Sequence, residues 1–345
     1  MCEEKLTYAE AALVAAAIPV PPPTVKFGTA LAAPLLESTG PVTVIDPSMD
    51  LVKAIAALKP GGVLRLRGGD YGKGLTSQAQ VPVLGSALAP VTIESYPGEQ
   101  ANIAQYVKVT GDYVRLRRLA GGKNSYPTDT RYWQGPAPGG NTGIWVSGHH
   151  NAMEFCDFSL ATMSGIFNDG DFTQILCCRV SVNGSTPDDH GVYAYGSDVL
   201  IAGCLITFNQ TFGVQLAVGA RDRVVGNTIV VPIPHRDAAH PGSPIVTFKG
   251  VSGALVAYNV LLGGEVAVKT YDTGNTVKGN IWNGAGAFSY GSWVDGGGNR
   301  HVDPMLDASY RPLPGSPCIG TADPAFLLPF LPDGSPRLLA NVGAW

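Results

Sequence analysis

The chain has 345 residues, 14% of them charged, with 44 glycines, 27 prolines and a formal net charge of −4. So few cations leave no basic stripe to neutralise phosphates, which excludes electrostatic nucleic-acid binding. No apolar run approaches the roughly 18 residues that a membrane span needs.

Residues 6–18 read as a short Ala-rich helix interrupted by Glu10, followed by the stiff spacer Pro19-Val20-Pro21-Pro22-Pro23. The start, Cys2-Glu3-Glu4-Lys5, is net acidic where a secretory signal carries positive charge, so no signal peptide is expected. Residues 1–40 are therefore read as an arm for attachment or oligomerisation.

Residues 42–45 read as a strand. Residues 50–58 read as an amphipathic helix with Leu51, Val52, Ile55 and Leu58 on its apolar face, suited to plug the open N-terminal end of a solenoid. Residues 63–66, 91–93 and 113–116 alternate as strands of the first coils, which turns Arg65, Arg67, Arg115, Arg117 and Arg118 outward, to solvate a face or bind an anion. Residues 121–140 form a long polar loop with Tyr126, Tyr132 and Trp133, and a loop this long inside a compact repeat is a functional candidate.

From residue 143 to 292 one phrase recurs: a small residue, an apolar strand, a turn, a second apolar strand and another turn. Strand starts at Gly143, Gly165, Gly191, Gly213 and Ile245 are spaced 22, 26, 22 and 32 residues apart. A second column, Cys156, Cys178, Cys204, Asn227, Asn259 and Asn280, steps by 22, 26, 23, 32 and 21. Two columns sharing one period, with irregularity confined to Pro/Gly/Asp-rich inserts, are what stacked coils produce. The unit is too short for a propeller blade of about 40 to 45 residues and lacks a helical period. The prediction is an all-β solenoid over residues 41–292, each repeat one coil. Cys156, Cys178 and Cys204 then stack as buried thiols where asparagines stand further on. Residues 293–345 form a Pro-punctuated tail in which Phe326, Leu327, Leu328, Phe330 and Leu331 are suited to cover the C-terminal open end.

Alternation within the first strand of each coil turns Ile144, Val146, Ile166, Val192, Val214 and Leu216 inward. One outward column is then Trp145, Phe167, Tyr193, Gln215 and Thr247, and the next is Ser147, Asp169, Tyr195, Ala217 and Lys249. Aromatics on successive coils, about 4.8 Å apart, make a platform on which sugar rings can stack. Trp145, Phe167, Tyr193, Tyr195 and Trp133 are thus the candidate substrate-binding residues. Around them lie His149, His150, Asp169, Asp171, Asp188, Asp189, His190 and Lys249. Asp169 with Asp188 or Asp189 can supply the paired carboxylates of a glycoside hydrolase. Lys249, Tyr195 or His190 can instead be the base of a lyase. Asp and His are also turn-formers, and solvated turn residues are the plain alternative. The insert 232–244 carries His235 and His240, but no carboxylate pattern accompanies them, and no metal site is predicted.

Gly226-Asn227-Thr228-Ile229, Tyr258-Asn259-Val260-Leu261 and Gly279-Asn280-Ile281-Trp282 resemble the asparagine-turn phrase of the right-handed parallel β-helix superfamily, which includes pectate-lyase-like enzymes and phage tailspikes. Asp189-His190-Gly191-Val192-Tyr193 resembles its coil opening, and Pro314-Gly315-Ser316-Pro317-Cys318-Ile319 and Asp333-Gly334-Ser335-Pro336-Arg337 the usual end of bacterial members. The resemblance covers roughly residues 42–345 and implies the fold more specifically than an activity.

It leads to three expectations. The first is a polysaccharide-recognising spike or adhesin similar to a tailspike or head spike, at a virion or extracellular surface, attached through residues 1–40 and, as tailspike-like proteins often are, a homotrimer. The second is a polysaccharide lyase or glycoside hydrolase of the pectate-lyase-like superfamily. No cofactor is expected, except that a lyase of this kind would bring in calcium. The third is a structural scaffold.

Overall fold

The computed structural model describes residues 36–345 apart from 73–78, 83–84, 104–106, 123–141, 232–241, 285–292 and 338. Trp133, the insert residues His235 and His240 and nearly all of the N-terminal arm lie outside the described residues.

The chain winds into three sheets of parallel strands. The first runs from Val42–Ile45 through Val63–Leu66, Val114–Arg117, Ala152–Glu154 and Gln174–Leu176 to Trp293–Asp295. The second runs from Gly69–Tyr71 through Asp157–Ser159 to Arg300–His301. The third stacks Val107–Thr110, Ile144–Ser147, Ile166–Asn168, Val192–Tyr195, Phe212–Ala220, Ser243–Thr247 and Val268–Thr270. This is a β-helix solenoid, with one strand of each sheet per coil.

Each coil therefore has three strands, not the two of the sequence reading. The second and third strands are separated by only two residues, such as Phe155 and Cys156 between Ala152–Glu154 and Asp157–Ser159. The first of the pair turns the chain in the left-handed region, with φ of 54° at Phe155, 52° at Cys177 and 55° at Tyr258, and the single residue Arg118 does the same at 54°. The amide of each such residue donates to the next coil, as Phe155 does to Leu176 O and Cys177 to Ala202 O. Those coil-to-coil bonds sustain a conformation that side chains other than glycine disfavour.

The second residue of the pair points inward and builds the predicted column. Asn227 Nδ2 donates to Asn259 Oδ1 at 3.0 Å, Asn259 Nδ2 to Asn280 Oδ1 at 2.9 Å, and Asn280 Nδ2 to Asn299 Oδ1 at 3.1 Å. The thiols continue it: the Cys204 amide donates to Asn227 Oδ1 at 2.8 Å and the Cys178 amide meets Cys204 Sγ at 3.4 Å. Cys156, Cys177, Cys178, Cys204 and Cys318 are all unpaired, buried thiols. Burial holds Cys156 and Cys178 well above the ordinary thiol range. Ile144, Val146, Ile166, Val192, Val214 and Leu216 all face the core, as their alternation predicts.

The helix of the first coil is shorter than expected. Only Leu51–Ala56 is helical, with Asp50 Oδ1 accepting from the Lys53 amide at 3.0 Å, and Leu51 and Ile55 join the main core.

The outward arginines of the first sheet do not form a free anion site. Arg65, Glu94, Arg117 and Glu154 succeed one another in register across four strands. Arg65 Nε bonds Glu94 at 2.8 Å, and Arg117 reaches Glu154 at 3.0 Å and Glu37 at 2.8 Å. Arg115 is 2% exposed and also bridges Glu154 and Glu37.

Three of the apolar tail residues pack on the side of the solenoid. Leu328 and Phe330 pack laterally on Phe155, Leu176, Cys177, Leu200 and Ala202, and Leu327 on Val225, Tyr258 and Val260. The chain thus returns along the outside of the turn that joins the first and second sheets. Glycine there gives the room: a Cβ on Gly203 or Gly226 would meet Leu328 at 3.1 Å or Leu327 at 2.9 Å.

Candidate functional site

The outward face of the third sheet assembles the expected aromatics. Trp145 pairs in register with Phe167, and Phe167 with Tyr193. Their ring centroids lie 4.7 and 5.3 Å apart. Tyr195 joins them 5.8 Å from Phe167 and 5.0 Å from Tyr193. The hydroxyls of Tyr193 and Tyr195 are hydrogen-bonded at 2.9 Å. All four side chains are half-buried, which leaves one partly solvated aromatic strip across three coils.

Beyond those coils the columns part from the sequence reading. The column of Tyr193 continues through Gln215 to Val246 and Lys269 rather than to Thr247. Between Ala194 and Tyr195 the register shifts, so Tyr195 faces Val218 and skips Ala217. Independently of that shift, Gln215 pairs with Val246, one residue earlier than the spacing of the two coils suggested, and Lys249 lies past the end of the strand Ser243–Thr247. Lys249 is an exposed turn residue.

At the other end of the strip stands Lys108, which sequence reasoning missed. It pairs in register with Trp145, and its Nζ lies 3.9 Å from the indole centroid. Asp169 Oδ2 accepts from Lys108 Nζ and from Trp145 Nε1, each at 3.1 Å. The signal was present in the alternation of Val107-Lys108-Val109-Thr110, which puts Lys108 on the outward face.

The other candidate acids and bases have structural work. Asp189 is buried, and its Oδ2 accepts from the Ser185 amide at 2.9 Å, the Thr186 amide at 2.7 Å and Thr186 Oγ1 at 2.9 Å. It closes its own turn, and burial raises its carboxyl against the pull of those donors. His190 is buried between Tyr193, 5.1 Å away, and Phe212, 5.0 Å away, and burial pushes its imidazole down to about 3. It is a neutral packing ring at neutral pH. Burial, reinforced by the hydroxyl of Tyr195, raises Tyr193 above the ordinary phenol range, which keeps it protonated. Asp188 is exposed beside the strip. Asp171 Oδ1 accepts the Ser197 amide at 2.7 Å, a link between coils, while His149 is exposed. His150 stacks between Tyr113 and Phe172, at 4.7 and 4.6 Å.

Among the described residues, no three His, Cys, Asp or Glu side chains converge as a metal site. The carboxylates around the strip do not fit a calcium ion, since Asp169, Asp171 and Asp189 are each committed to separate protein donors. What the strip offers chemically is stacking area, two linked phenol hydroxyls and an indole fixed by a cation and a carboxylate.

No protein-family model matches the sequence, and no curated protein does either. Solved structures do. A rhamnogalacturonan lyase aligns at 13% identity with a TM-score of 0.56, over 88% of this chain and 96% of its own. The pectate lyase Pel9A aligns at 15% identity and 0.54, over 89% and 96%. The lacto-N-biosidase from Eubacterium ramulus aligns at 11% identity and 0.50, over 75% and 67%. The three share the parallel β-helix fold with this chain. Lyases and a glycosidase on one fold mean that the activity has to be argued from the site.

Proposed function

We propose that the protein recognises a polysaccharide through the strip Trp145, Phe167, Tyr193 and Tyr195, as a spike or adhesin of the tailspike type. The observation that carries this reading is the strip itself, whose first ring is locked by Lys108 and Asp169. Half-buried rings on successive coils suit a chain of sugar rings lying along the solenoid. A partly solvated aromatic strip of this size suits an interaction surface. The wider picture includes attachment through residues 1–40, a homotrimer, a place on a virion or cell surface, and the Leu51–Ala56 helix as the plug of the first coil.

A polysaccharide lyase or hydrolase is the second reading. It draws on the Tyr193 and Tyr195 hydroxyl pair at 2.9 Å, which can relay a proton at a bound sugar.

The test is incubation of the protein with bacterial capsular polysaccharides, alginate and pectate, with binding, reducing ends and the ultraviolet absorbance of unsaturated uronates measured together. Binding without cleavage, weakened at least about tenfold by Trp145→Ala or Tyr193→Ala, supports the adhesive reading. Cleavage lost in Tyr195→Phe supports the enzyme. Binding undisturbed by any of these changes removes the strip from both readings.

A further inference from the structure

A second site lies on the last coils, on the turn between the first and second sheets. The returning tail fills this turn at Gly203 and Gly226 with Leu328 and Leu327, and at Tyr258 with Phe326, whose ring is 5.6 Å away. One coil further, beside Gly279, lies a cleft of about 470 Å³. Lys278, Arg300, Gly296, Gly297 and Gly298 line it together with Thr321 of the tail.

Both cations are held in place. Lys278 Nζ rests over the rings of Phe326 and Tyr258, at 5.3 and 5.8 Å. Arg300 Nη2 donates to Pro317 O at 2.8 Å and to Thr321 Oγ1 at 3.1 Å. Among the described residues neither has a carboxylate partner, whereas Arg65, Arg67, Lys108, Arg115, Arg117 and Lys269 all do. The acid on the adjoining strand, Asp295, is spent on the Gly297 amide at 2.8 Å and Asn299 Nδ2 at 3.0 Å. Glycine is required beside Lys278 and Tyr258: a Cβ on Gly296 would meet Lys278 Cβ at 2.8 Å, and one on Gly279 would enter the Tyr258 ring at 2.5 Å.

We infer that this cleft binds an anion, the carboxylate of an acidic sugar or a phosphate group. Two held cations lining one cleft with three glycines, and with Asp295 already engaged, match the demand of an oxyanion for charged donors at close range. The inference does not depend on the aromatic strip, which lies on another sheet.

The full chain labelled with [15N]glycine is titrated with glucuronate, inorganic phosphate and glucose, and the glycine amide signals are monitored. Saturable shifts confined to Gly279, Gly296, Gly297 and Gly298 are expected with one or both anions and not with glucose. Which anion acts tells whether the ligand is an acidic sugar or free phosphate. Lys278→Met keeps the alkyl packing on Tyr258 and should weaken the response roughly tenfold. Still signals with both anions, equal shifts with glucose, or an undiminished response in Lys278→Met overturn the inference.

Discussion

The ammonium of Lys108 rests 3.9 Å from the ring centroid of Trp145 on the next coil, and both side chains donate to the same oxygen of Asp169. The Lys108 side chain is only 12% exposed, so its charge is compensated largely by these two neighbours. A double-mutant cycle of Lys108→Met and Asp169→Asn should return a coupling of about 1 to 2 kcal/mol in urea denaturation. A coupling near zero means that the carboxylate merely adjoins the cation.

The asparagine ladder carries a larger share. Asn259 Oδ1 accepts from the amide and the side chain of Asn227, and its Nδ2 donates to Val224 O and Asn280 Oδ1. Asn259→Ala strands these partners inside the core, and a loss of about 3 to 5 kcal/mol is expected in the same denaturation assay. Cys204→Asn should cost less than about 1 kcal/mol, because the position already bonds Asn227 and only extends the ladder. Equal losses for the two substitutions refute the ladder as an energetic unit.

This ladder was legible in the sequence because Asn and Cys recur at one period and face one way. The inward aliphatics and the strip Trp145, Phe167 and Tyr193 were legible for the same reason. The third strand of each coil was not. Its turn is a single left-handed residue, and where that residue is Phe155, Cys177 or Tyr258 rather than glycine, composition gives no punctuation. Register beyond Tyr193 failed at two places, the bulge that sets Tyr195 against Val218 and the one-residue offset that pairs Gln215 with Val246 after a long insert, where the spacing in the sequence gives no anchor. The roles of Asp189 and His190 were hidden because the same letters serve a buried turn and an active site, and only burial separates them.

Thiol chemistry checks the interior placement. Burial raises Cys177 to about 12 and raises Cys318 as well. With Cys2 replaced by Ser, the native protein should release almost no chromophore from a disulfide reagent, and five thiols should react after denaturation. Fast reaction of Cys156, Cys178 or Cys204 in the native state contradicts the buried column, and fast reaction of Cys177 or Cys318 contradicts the packing of the tail.

His190 gives a prediction on pH. With its imidazole at about 3 and its Nδ1 buried without a partner, it cannot titrate between about pH 5 and 8 while folded. His190→Phe retains the stack between Tyr193 and Phe212 and should be neutral or mildly stabilising, with the pH dependence of glycan binding unchanged. A binding inflection in that range that disappears in His190→Phe would restore His190 as an acid-base group.

Asp222 stands where Asn151 and Asn275 stand in other coils: each Oδ1 accepts a backbone amide of the preceding coil, Val199 for Asp222, Val114 for Asn151 and Ala254 for Asn275. The second atom differs. Asn151 Nδ2 donates to Gly111 O and Ser147 O, whereas Asp222 Oδ2 is buried with no partner. Burial accordingly raises the Asp222 carboxyl to about 7, against 3.8 for the free side chain. A folded value above the unfolded one means that the native state binds the extra proton. Its stabilising effect is complete below 3.8 and is lost as the pH rises through about 7, on the order of 4 kcal/mol in all. Asp222→Asn puts a permanent donor at that atom. Urea midpoints at about pH 5 and about pH 8 should fall apart in the native sequence and draw together in the variant, with the variant the more stable at the higher pH. Equal pH dependence in both proteins would mean that Asp222 is ionised in the fold and that its second oxygen has found water.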